Sequence, residues 1–191
     1  MSQIIDAVEE KRASILEAAA SLLTEEGFHA LSLRRIAAQV GTSTQAIYTL
    51  FGGKEGLMDA LFIEGFRRLG AAIEAVPTEE DPQKHVLRLA QVYRETALTN
   101  RKFYAVTFGR LFPASSNTQQ NRQKAWEPFH VLVEALRKCG VADPAKSASA
   151  LWSASHGVVS LELAGMLTPI EAQNLITHLV LTIMVPKSDI K

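Results

Sequence analysis

Between Gly27 and Leu57 the chain uses one device twice: a serine, then apolar residues at helical spacing, then a glycine. Ser32 is placed to accept a free backbone N–H at the start of a helix running to about Val40. Leu33, Ile36, Ala37 and Val40 fall at i, i+3, i+4 and i+7, which gives that helix one buried face. Gly41 follows, where a helix ends readily in a left-handed conformation. Ser43 then caps a second helix, Thr44 to about Phe51, whose apolar side is Ala46, Ile47, Leu50 and Phe51. Two short helices joined by a tight turn containing glycine fit a helix-turn-helix, whose second helix enters the DNA major groove.

The outward side of the second helix carries Thr44, Gln45, Tyr48 and Thr49. Glutamine pairs bidentately with adenine, and threonine offers a hydroxyl and a methyl to a base edge. Tyrosine donates to phosphate. Gly52-Gly53 closes the helix, and Lys54 opens the next one beside backbone N–H groups that attract a phosphate. Between Gly27 and Lys54 the formal charges are Arg34, Arg35 and Lys54, with no acid among them. The expected DNA contacts are Arg34, Thr42, Thr44, Gln45, Tyr48 and Lys54.

This stretch resembles the DNA-binding domain of the tetracycline-repressor-like (TetR) family of transcriptional regulators. The residues that carry the resemblance are Gly27, Leu33-Arg34-Arg35-Ile36-Ala37, Gly41-Thr42-Ser43, Tyr48-Thr49-Leu50-Phe51 and Lys54-Glu55-Gly56-Leu57. Thr42 and Leu50 depart from the usual pattern, an apolar residue and a histidine respectively. Farther on, Trp152, His156, Gly157 and Gly165 resemble a Trp-His-Gly signature of one branch of the family. The resemblance implies a dimer paired through two C-terminal helices, and a fourth helix whose swing carries a ligand signal.

The 191 residues balance 20 Lys and Arg against 20 Asp and Glu, so net charge announces no nucleic-acid partner. Residues 1–60 hold five basic against eight acidic side chains, a net −3. Binding to DNA must then rest on where the cations stand, and non-specific affinity should be weak. Cys139 stands alone, so no internal disulfide forms, which suits a reducing cytoplasm. The N-terminus has no signal-peptide pattern, and the most apolar stretch, Leu175 to Val185, is too short to span a bilayer.

The expected fold class is all-α: a three-helix DNA-binding head over residues 1–54 and a helical ligand-binding and dimerisation body over 55–191. Met1 to about Ala7 reads as a loose arm and Glu9 to Glu26 as the first helix. Asp81-Pro82 and Asp143-Pro144 are cap-plus-proline starts, and Thr168-Pro169-Ile170-Glu171 is a capping box. A helix from Arg122 to Cys139 follows a polar loop after Pro113, and the helix from Pro144 is expected to reach about Leu167. The final helix has an apolar face wider than one neighbour covers, which points to burial against a second copy.

Aromatic residues Tyr93, Phe103, Tyr104, Phe108, Trp126, Phe129 and Trp152, with His156, are the candidate effector contacts in the body. For His156 a packed Trp–His pair in the core is the competing reading. No histidine pairs at metal-ligand spacing, and no nucleotide loop or catalytic grouping stands out. The expectation is therefore a non-enzymatic, ligand-responsive regulator without cofactor or metal, a homodimeric repressor on palindromic double-stranded DNA. An activator of the same fold, or a helical ligand-binding module that has lost DNA binding, are the alternatives.

Overall fold

The computed structural model describes residues 2–109 and 126–184. Those residues form nine α-helices and no strand: α1 Ser2–Glu26, α2 Leu33–Val40, α3 Thr44–Phe51, α4 Lys54–Glu74, α5 Pro82–Thr99, α6 Arg101–Phe108, α7 Glu127–Lys138, α8 Pro144–Leu163 and α9 Pro169–Met184. Met1, the polar loop expected after Pro113, the expected helix start at Arg122 and Val185 lie outside the described residues.

The local signals place the helices. Ser32 Oγ accepts from the Arg35 N–H and Ser43 Oγ from the Ala46 N–H. Gly41 and Gly52 end α2 and α3 at φ 70° and 74°, where a side chain would be strained. Asp81 accepts from the Gln83 and Lys84 N–H groups, and Asp143 from that of Lys146. Thr168 and Glu171 form the reciprocal box, with Glu171 Oε2 accepting from the Thr168 N–H at 2.8 Å.

Two expectations change. The N-terminal arm is helical: α1 begins at Ser2, and Ile5 and Val8 are exposed on it. The polar residues there satisfy a solvated helix as well as a coil, so composition did not decide. Secondly, α8 stops at Leu163, short of Leu167. The Gly165 N–H bonds to the Glu162 carbonyl and the Met166 N–H to that of Leu161, with Gly165 at φ 73°. Gly165 thus ends the helix.

The chain divides into two compact units, the first running to Phe66 and taking in the segment from Lys102, the second built from 67–101 and the helices from α7 onward. The first unit outruns residue 54 because Leu57, Met58, Ala60 and Leu61 of α4 join the same core as Ile15, Leu23, Ile36 and Ile47. Phe103 and Val106 of α6 belong to that core too. Gly65 lets α4 approach α6, since a Cβ there would overlap the Thr107 side chain.

In the second unit, α5 buries Val86, Leu89, Ala90, Tyr93 and Ala97. It packs against α7, α8 and α9, and α8 and α9 form an antiparallel pair. Arg94 of α5 is buried with them and bonds to both Glu162 carboxylate oxygens, Gln173 Oε1 and the Pro169 carbonyl.

Candidate nucleic-acid interface

The head holds α3 through Ile47 and Phe51, which are 0% and 8% exposed. Rotating around a helix from those two anchors leaves Gln45, Tyr48 and Thr49 on the solvent side, where all three are exposed. Thr44 and Thr42 are half-buried at the entrance to α3. The Thr49 hydroxyl already donates to the Gln45 carbonyl at 3.0 Å, so its methyl and the acceptor side of its oxygen are left to meet a base.

The glycines after α3 shape this surface. Tyr48 is 54% exposed, and its ring edge lies where a Cβ on Gly53 would come within 3.2 Å. At Gly56 a Cβ would overlap the Phe51 carbonyl oxygen. Any larger residue there forces the end of α3 and the start of α4 apart. This contact joins two helices and leaves no periodic signal in the sequence.

The cations are not equivalent. Arg35 is tied by two hydrogen bonds to Glu26 at the end of α1, at 2.8 and 2.6 Å. That hydrogen bonding, with the charge attraction, holds the Glu26 carboxyl below its ordinary range and the Arg35 guanidinium above its own. The window counted as free of acids is thus invaded by one from just outside it. Arg34, one residue earlier, is exposed. Lys54 is half-buried at the start of α4, with Nζ 4.4 Å from the centre of the Phe28 ring. Arg12 lies likewise over Phe51, at 4.8 Å. These contacts hold two positive charges against the head's core. On α4, burial and the neighbouring Glu55 push the Asp59 carboxyl up.

The candidate effector contacts are divided between the two units. Phe103, Tyr104 and Phe108 belong to the head's unit, Phe103 in its core and Phe108 against Phe66 and Tyr104. Tyr93, Trp126, Phe129, Trp152 and His156 belong to the body. Trp126, Phe129 and Trp152 pack edge to face on one another, with centroids 5.0 to 6.4 Å apart. His156 sits beside Trp152, with Nδ1 3.2 Å from the Tyr93 hydroxyl, and burial lowers its pKa. Of these, Tyr93 is buried, whereas Trp126 is 45% exposed. A cleft of about 350 Å³ in the body is lined by none of them. Among the described residues no group of His, Cys, Asp or Glu is arranged to hold a metal ion, and no helix is long and apolar enough to cross a membrane.

Comparison with known proteins agrees with this geometry. Residues 15–61 match the family described as bacterial regulatory proteins, tetR family, and residues 86–183 match the tetracyclin repressor-like C-terminal domain. An uncharacterized HTH-type transcriptional regulator of Mycobacterium tuberculosis is 27% identical over 172 residues, covering 89% of this chain and 78% of that one. The TetR family transcriptional regulator PfmR from Thermus thermophilus superposes with a TM-score of 0.70 at 25% identity, over 89% of this chain and 96% of its own. A protein of unknown function from a Rhodococcus species reaches 0.75 at 27% identity, over 91% and 93%. With both its head and its body matched, the chain belongs to the tetR family of DNA-binding transcriptional regulators.

Proposed function

We propose that the protein is a ligand-responsive repressor that binds a palindromic operator as a homodimer in the cytoplasm. The observation that carries the reading is the solvent face of α3. Gln45 and Tyr48 stand exposed on a helix anchored from behind by Ile47 and Phe51, with Arg34 exposed on α2. Thr44 and Gln45 read bases, Arg34 reads a base or a phosphate, and Thr42, Tyr48 and Lys54 hold phosphates.

Pairing is supported by the surface of α8 and α9. Leu161, Leu175 and Leu181 are 43%, 40% and 52% exposed, and Met166 and Ile170 at the turn between the helices are 73% and 74% exposed. An apolar surface of that kind on two adjacent helices is what a second copy covers. Twofold symmetry then sets two α3 helices roughly 34–36 Å apart, one turn of DNA. An effector acts by binding the DNA-incompetent arrangement better than the competent one.

Selection from random duplexes tests the reading. The expected product is an inverted repeat with half-sites about one helical turn apart. No enriched sequence would instead favour a helical ligand-binding module that has lost DNA binding, and the net acidic head is the feature that supports that alternative.

A further inference from the structure

Arg12 is half-buried on α1, three residues before the core residue Ile15. Its guanidinium carbon stands over the Phe51 ring, 4.8 Å from the centre. Phe51 is the last residue of α3. Thr44, Tyr48 and Phe51 fall at i, i+4 and i+7, so they form one line along that helix. Tyr48 is exposed, whereas Phe51 turns into the core. At the C-terminal end of the line, where α3 offers no polar side chain of its own, α1 supplies a cation.

That cation is fit to hold an anion. A guanidinium seated over a ring is held by the ring's electron-rich face and keeps its N–H donors around its rim. Among the described residues Arg12 makes no ion pair, unlike Arg35, which is bonded to Glu26. Lys54 is seated over Phe28 in the same manner. Phe51 and Lys54 stand on either side of Gly52-Gly53, so both cations are brought to the turn that joins α3 to α4.

We propose that Arg12 is a further DNA contact, holding a backbone phosphate beside the one held by Tyr48. The line from Thr44 through Tyr48 is thus continued along the DNA backbone by a side chain of α1. The inference rests on the operator reading above and names a contact of that same surface. A phosphate contact fixes register and carries no sequence information. Arg12 therefore adds affinity without changing which sequence is preferred, in a head whose first 60 residues are net acidic.

The test uses the full chain and the duplex obtained by selection, with affinity followed against salt. Arg12→Met keeps a long apolar side chain against Phe51 and removes the charge. It should weaken the selected duplex and its single-base variants alike, by roughly tenfold or more at about 0.1 M salt. The slope of log K on log salt should flatten by about 0.9 per half-site, and Arg12→Lys should keep the wild-type slope. Neutral methylphosphonates, placed at one position per half-site at a time, give a second readout that needs no variant to fold. A position next to the one that falls silent in Tyr48→Phe should weaken wild-type binding, and in Arg12→Met it should have no effect. A wild-type slope in Arg12→Met, a changed sequence preference, or methylphosphonate effects confined to the phosphates of Tyr48 and Lys54 would each overturn the contact. Those results with the selected duplex still bound would remove the contact alone, whereas a chain that binds no duplex would remove the operator reading with it.

Discussion

Arg94 and Glu162 face each other inside the body, their side chains 11% and 6% exposed, joined by two hydrogen bonds across 68 residues of sequence. Arg94 also bonds Gln173 and the Pro169 carbonyl, so the pair holds the turn between α8 and α9 from within. A buried ion pair adds little over a packed apolar pair, yet removing one partner strands a buried charge. Arg94→Met or Glu162→Leu alone should cost about 3–5 kcal/mol in urea unfolding at fixed protein concentration. The two together should recover most of that loss. A single replacement costing under about 1 kcal/mol would mean that water reaches the pair.

Gln45 and Lys54 should separate sequence preference from affinity. Gln45→Ala should change which duplex is preferred, by about 1–3 kcal/mol at one base pair of each half-site. Lys54→Ala should weaken all duplexes alike and flatten the dependence of log K on log salt by about 0.9 per half-site. If Lys54→Ala changed the selected sequence, the two roles would have to be exchanged.

Glu26 opposes DNA binding if Arg35 approaches phosphate, because their ion pair must be shared with or lost to the backbone. Glu26→Gln removes the acid and keeps a hydrogen-bonding partner of the same shape. Non-specific duplex affinity at low salt should rise, and the salt slope should steepen by up to about 0.9 per subunit. An unchanged slope would place Arg35 away from the duplex and leave Arg34 as the cation of α2 that counts.

What the sequence disclosed and what it hid divide along the range of the interactions. Ser32, Ser43, Asp81, Asp143 and Thr168 were legible because each bonds an N–H two or three residues away. Five helix starts, and with them the helix-turn-helix, follow from such contacts. Arg35–Glu26, Arg94–Glu162 and Arg68–Asn100 left no trace, since nine, 68 and 32 residues separate the partners. The aromatic residues are ambiguous for a related reason. Phe103 carries the same helical signal whether α6 serves the head or the body, and only the core around Ile15 and Leu61 claims it. The exposed face of α3 was readable because its opposite face was.

His156 should give stability a pH dependence. Its ring is half-buried, burial holds its pKa below the ordinary 6.5, and Nδ1 lies 3.2 Å from the Tyr93 hydroxyl. The unfolded chain therefore takes up a proton at a higher pH than the folded one. Stability from the neutral ring is complete above 6.5 and declines as pH falls toward and through the lowered value. Between about pH 7.5 and 5.5, wild-type Tm should fall more than that of His156→Gln, which cannot titrate. Equal slopes in the two proteins would show that other groups carry the pH dependence.

Gly157 offers the sharpest separation of folding from pairing. It lies exposed in the middle of α8, one turn before the exposed Leu161, and a Cβ there would meet nothing within 4 Å. Alanine in an open helix interior is better than glycine by roughly 0.5–1 kcal/mol, because it restricts the unfolded chain. Gly157→Ala should therefore stabilise the isolated chain at low concentration. If α8 meets a second copy there, the added methyl pushes the partner helix outward and association weakens. Unfolding and sedimentation over a concentration series should thus move in opposite directions, while Leu161→Asp should abolish association outright. Stabilisation with unchanged association in Gly157→Ala would shift the pairing surface toward α9, to Leu175 and Leu181.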